Sequence, residues 1–154
     1  MKKVLGIVPS SKDITLGAVE GDTSAQNHVP LEKDTYKFAP ADDQSKSLTN
    51  LYEFITTTIS EKGITDIEIL KAGTSHKGKG PSPERIKAEA AIQLAASNAN
   101  IRVNLIPHKT LETARKQEQQ MEEKTIDEQL GHSFPSEAKR EAAFIALLKT
   151  KKGN

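Results

Sequence analysis

Apolar residues fall in short blocks separated by polar, turn-prone stretches, and the spacing within each block predicts its element. Residues 3–9 form an apolar run ending at Pro9, consistent with a buried strand. Ser10-Ser11-Lys12-Asp13 is a turn signal, and beyond it Ile14, Leu16 and Ala18 alternate with Thr15, Gly17 and Val19. That alternation predicts a second strand, paired with the first as a hairpin. Residues 21–33 are rich in Gly, Asp, Ser, Asn and Pro and read as an irregular loop, with Thr35–Phe38 as a third strand. Leu48, Leu51, Tyr52, Ile55 and Ile59 recur at helical spacing, so 45–62 is an amphipathic helix stopped by Gly63. Ile64, Ile67, Ile69 and Leu70 mark a fourth strand ending near Ala72. Ser82 then caps a helix that has Pro83 at its first position and runs to about Asn98. Ile101, Val103, Leu105 and Ile106 make a fifth strand closed by Pro107. Residues 108–130 are charged and glutamine-rich with few anchors (Leu111, Ala114, Met121), which predicts a partly solvated helix. Gly131 to Pro135 breaks the chain. Ser136 caps a last helix with Ala138, Ala142, Ile145 and Leu148 as its buried stripe, and the lysine-rich end should fray.

The order β-β-β-α-β-α-β-α-α predicts an α/β fold: a mixed five-stranded sheet, three antiparallel strands and then parallel ones, flanked by helices. A chain of 154 residues fits one domain, 1–154, with the charged segment 108–130 and the tail as its loosest parts. Formal net charge is only +1, so no global field draws the protein to nucleic acid or membrane, and any anion site must be local. The absence of cysteine excludes disulfides and thiolate metal sites. The N-terminal apolar run is too short for a signal peptide and nothing approaches a membrane span, which leads us to expect a soluble cytoplasmic protein.

One segment carries most of the candidate chemistry. Gly73-Thr74-Ser75-His76-Lys77-Gly78-Lys79-Gly80-Pro81-Ser82-Pro83 leaves the fourth strand and enters a helix, where free N–H groups and the macrodipole favour an anion. It fits G-x-x-x-x-G-K, but a P-loop needs Ser or Thr next to hold Mg²⁺, and Gly80 stands there. Pro81-Ser82-Pro83 also delays the helix. Two readings stay open. Lys77, Lys79 and Arg85, assisted by Ser75 and His76, contact a nucleic-acid phosphate backbone, or the loop is a solvated surface whose lysines maintain solubility. Little aromatic interleaving argues against stacking on single-stranded bases. His28, His76, His108 and His132 show no i, i+4 pair and read as surface histidines. Ser10-Ser11 lacks His and Asp at motif spacing. The acidic, glutamine-rich 118–123 stretch is a solvated helix face or, with Met121 and Ile126, a partner-binding or dimer arm.

Lys87-Ala88-Glu89-Ala90-Ala91-Ile92-Gln93-Leu94, the opening Val4-Leu5-Gly6-Ile7 and Glu141-Ala142-Ala143-Phe144 resemble a small bacterial family of RNase H-like proteins, whose fold also houses the Holliday-junction resolvases. The resemblance implies the RNase H-like fold. It also implies a two-metal site, with carboxylates from the first strand, the fourth strand and the last helix. It places the first acid at Val8 and the second at Lys71 or Ala72, none of which offers a carboxylate to a hard cation. Only the third survives, at Glu141 with Glu137 one turn earlier. Asp13 is expected in a turn beyond the first strand, and Glu68 on the face opposite Ile67 and Ile69. The sequence therefore reads as a degenerate, non-catalytic member without a cofactor, binding a DNA or RNA backbone or a protein partner through 73–87. A divergent nuclease using Mg²⁺ or Mn²⁺ is the first alternative. An interaction protein without nucleic acid, such as a homodimer, is the second.

Overall fold

The structure is a computed structural model, and it describes residues 1–38, 44–71, 83–120 and 126–152. Strand β1 (Lys2–Pro9) and strand β2 (Asp13–Gly21) form the expected hairpin, with Leu5 opposite Ala18, Gly6 opposite Gly17 and Ile7 opposite Leu16. Two short strands, β3 (Gln26–Val29) and β4 (Thr35–Lys37), lie end to end along the outer edge of β2. Helix α1 (Gln44–Lys62) returns the chain to β5 (Asp66–Leu70), which pairs parallel to β1. Helix α2 (Pro83–Asn98) leads to β6 (Arg102–Ile106), parallel to β5. Helices α3 (His108–Gln120), α4 (Ile126–Leu130) and α5 (Glu137–Lys152) follow. The sheet order is β3-β2-β1-β5-β6, with β4 beside β2.

Two expectations are corrected. The loop at 21–33 contains β3, because after one tight turn the polar residues Gln26, Asn27 and His28 pair with β2. There the Asp22 carboxylate accepts hydrogen bonds from the Ser24 and Ala25 amides and the Ser24 hydroxyl. The sheet thus has six strands among the described residues. The segment 108–130 holds two helices, and Ile126 and Leu130 are buried in this chain's own core, so Ile126 is not part of a projecting arm. Met121 lies outside the described residues.

Alternation along the strands divides the core in two. Leu5, Ile7, Ile14, Leu16, Ile67 and Ile69 face α1 and α2, meeting Leu51, Ile55, Ala88 and Ile92. Val4, Val19 and Leu70, from the opposite set of positions, face α5. Gly63 ends α1 in the left-handed region at φ 66°, as the sequence signal required. In α5 the buried region is wider than the expected stripe: every residue from Ala142 to Leu147 is buried, while Leu148 is only partly so. The helix is sandwiched between the sheet and side chains of α3 and α4.

Gly6 and Gly17 make that burial possible. A Cβ at position 6 would stand 1.9 Å from the Ala142 carbonyl oxygen, and one at position 17 would stand 2.6 Å from the Ala143 nitrogen. The obstructing atoms are backbone, so no rotamer change relieves them. Gly6→Ala and Gly17→Ala are each expected to lower stability by about 3 kcal/mol or more, because α5 must lift from the sheet. Urea denaturation measures this; a loss within 0.5 kcal/mol, roughly that of an ordinary surface substitution, would show that α5 does not sit on these residues.

Candidate functional site

Val8 lies on the α5 face of β1, packed at the edge of the core around Phe144 and Ile145. Its isopropyl group offers no donor to a cation. Leu70 on β5 lies on the same face and is buried. Lys71 is exposed just past the strand, its amide bonded to the Ile106 carbonyl, and Ala72 lies outside the described residues. Asp13 departs from its expected place in a turn. It begins β2 opposite Lys37, and its carboxylate accepts a hydrogen bond from the Ser10 hydroxyl at 2.9 Å.

The acids of α5 are held by arginine. The Arg115 guanidinium on α3 stands 2.6 Å from Glu137 Oε1 and 3.0 Å from Glu141 Oε1. Arg140 bridges Glu137 at 2.9 Å and Asp127 on α4 at 3.0 Å, and also donates to the Phe134 carbonyl. Those bonds hold the Asp127 carboxyl below the usual carboxylate range, the side-chain bond from Arg140 contributing most. The network ties α3, α4 and the first turn of α5 together. Glu141 is therefore paired with a nearby arginine rather than presented to a bound ion.

Glu68 faces α5 as its alternation with Ile67 and Ile69 required, but deep in the fold. It sits beside Gly6 on one side and Asn104 on the other, only 4% exposed. Burial pushes its carboxyl above the usual range; a hydrogen bond from Asn104 and the fields of Lys149 and Lys152 partly oppose this. Its Oε2 has no hydrogen-bond partner among the described residues. It belongs to the packing beneath α5, with Lys149 also buried there.

Among the described residues, no three His, Asp or Glu side chains converge as a metal site would require. The donor set described does not fit a pair of divalent ions: the strand position carries valine, and both helix acids are ion-paired with Arg115.

Ser75, His76, Lys77 and Lys79 lie outside the described residues. Arg85 is described, half-buried in the first turn of α2. Its guanidinium donates to the Lys71 carbonyl at 3.3 Å, and burial lowers its pKa. It thus ties the start of α2 to the end of β5, the two points between which the basic loop runs. The histidines hold a feature that linear spacing did not reveal. His28 and His132 stack with centroids 4.1 Å apart, and Phe134 stands edge-on to both. They are 104 residues apart in the chain (132 − 28), so no local motif could have signalled the pair.

This sheet order with α5 across one face defines the RNase H-like α/β fold. The chain is similar to RuvC of Thermus thermophilus in complex with a Holliday junction substrate, with a TM-score of 0.73 and 16% identity over 96% of this chain and 91% of that one. Another Thermus thermophilus RuvC structure gives a TM-score of 0.71 at 17% identity, covering 96% of this chain and 97% of that one. The yeast mitochondrial Holliday junction resolvase Ydc2 gives 0.62 at 18% identity, covering 97% and 78%. No protein-family model and no curated protein matches the sequence. Among the described residues no helix is long and apolar enough to cross a membrane.

Glu68 sets a pH-dependent stability term. Its raised pKa means the folded chain holds this proton more tightly than the unfolded chain. The contribution is full below the unfolded carboxylate range and is lost as pH rises through the folded pKa. Glu68→Gln is therefore expected to be more stable than the parent at about pH 7, with the gain shrinking toward about pH 4. Urea unfolding at both pH values checks it; a variant less stable at neutral pH would mean that the ionised Glu68 is a net stabiliser.

Proposed function

We propose that this protein is a non-catalytic RNase H-like domain that binds a nucleic-acid backbone through its 73–87 segment. The observation that carries the reading is the pairing of both α5 acids with Arg115 while valine stands at the first-strand position. A guanidinium neutralises carboxylates but carries no water to activate, so it cannot replace a divalent ion in hydrolysis. The likeness to a resolvase in complex with a Holliday junction supports a nucleic-acid partner. The basic segment connects the end of β5 to the start of α2, and Arg85 of α2 donates to the carbonyl of Lys71 just past β5. Lysines in such a segment position phosphates without reading sequence.

The expected result is salt-dependent binding of branched or duplex DNA or RNA without cleavage in Mg²⁺ or Mn²⁺. In Lys77→Ala/Lys79→Ala the affinity falls and the slope of log K against log salt drops by up to about 2 units. Fluorescence anisotropy across a salt series measures this. Cleavage that depends on a divalent ion and is abolished by Glu141→Gln would replace the proposal with the divergent-nuclease reading.

A homodimer is a second element of the proposal, favoured by one surface. Helix α2 exposes Ile86 at 52% and Leu94 at 57%, with Ala90 exposed midway between them. The three lie at i, i+4 and i+8, on one face. The stripe is self-complementary about Ala90: a two-fold axis there sets Ile86 of one copy on Leu94 of the other, as an isologous contact requires. Ala90 lets the helices approach closely, and Leu48 and Tyr52 of α1 line a groove of about 490 Å³ beside Leu94. Sedimentation should show a dimer that Leu94→Asp converts to monomer with its fold intact. A monomeric parent at about 100 µM would remove the dimer and leave the nucleic-acid reading standing.

A further inference from the structure

We propose that the stacked His28–His132 pair is an acid-sensitive latch that fastens the sheet edge to the entrance of α5. His28 lies on β3. His132 lies in the 131–136 connection between α4 and α5, and the two rings are 18° from parallel. Phe134, buried beneath them at 7% exposure, belongs to the core around α5. The pair therefore covers a core residue while joining two elements distant in sequence.

The charges around the latch are already matched. From the segment before β4, Asp34 faces His28, but it is paired with Lys139 of α5 at 3.3 Å. From α4, Asp127 faces His132, but it is paired with Arg140 of α5 at 3.0 Å. From β2, the neighbours are Val19, directly opposite His28, with Leu16 and Gly17 beside the pair. No carboxylate without a cation is present among these groups to receive a second imidazolium. Two protonated rings in van der Waals contact repel, and the repulsion grows with partial burial. A cavity of about 160 Å³ adjoins the rings, bounded by Pro30, Asp34 and Lys139, and gives water a route to them.

Burial and the facing His132 together lower the His28 pKa from its ordinary 6.5. The folded state therefore favours the neutral ring. This stability is present above the unfolded pKa and is lost as pH falls through the folded one. In acid, the 131–136 connection separates from β3 and uncovers Phe134. The same connection carries the Phe134 carbonyl that Arg140 grips, so release loosens the first turn of α5, where Glu137 sits one turn before Glu141.

Amide hydrogen exchange, corrected for intrinsic rate, tests the latch at about pH 7.5 and pH 5.5. In the parent protein, exchange in 26–29 and 131–135 should rise roughly threefold or more in acid, while β1 and β5 stay protected. His28→Phe/His132→Phe keeps an aromatic stack without charge and should lose this acid response. Equal responses in parent and variant, or no response in the parent, would overturn the proposal. If the double variant does not fold, the histidine titrations of the parent decide. A His28 that titrates at or above its ordinary pKa overturns the latch, and one that titrates below it, together with the acid-induced exchange, supports it.

Discussion

Helix α5 rests directly on the backbone of β1 and β2, and it can do so because Gly6 and Gly17 face each other across the hairpin with no side chains between. Each glycine loses more backbone freedom on folding than alanine would. The close contact offsets that loss by burying six consecutive residues, Ala142 to Leu147. Seating the helix there also fixes both of its ends. One end projects Glu137 and Glu141 toward Arg115, and the other brings Lys149 and Lys152 into the field of Glu68.

The first turn of α5 shows how one scaffold supports different electrostatics. Acids close to a helix N-terminus are favoured by the macrodipole, yet two of them one turn apart repel unless a cation lies between. Here that cation is the guanidinium of Arg115, fixed by its own helix. Its charge is spread over a planar group with directed N–H donors, so it welds α3 to α5 instead of organising water. Arg140 extends the weld to α4 and to the Phe134 carbonyl. Glu137 is well exposed, so these pairs act more by setting geometry than by adding stability.

Much of the architecture was legible before folding because it follows from local spacing. The alternation of Ile14, Leu16 and Ala18, the helical recurrence from Leu48 to Ile59, Gly63 as a stop and Pro83 as a start all lie where the chain uses them. Val8 at the critical strand position was equally plain. β3 was missed because its four residues carry one buried apolar side chain, Val29, so its pairing comes from β2 and not from its own pattern. The burial of Ile126 and Leu130 was missed for a related reason: a five-residue helix has too few apolar positions to display a period.

By itself, the sequence determined the order of the elements apart from β3 and α4, the faces of the strands and the lack of a carboxylate at residue 8. Each of these depends on side-chain type and on spacings shorter than one element. Tertiary structure alone decided which polar groups meet: Arg115 with Glu137 and Glu141, Glu68 with Asn104, His28 with His132. Those partners are tens of residues apart or more, and the fold brings them together. Charge pairing depends on distance in space, and no periodicity along the chain encodes that distance.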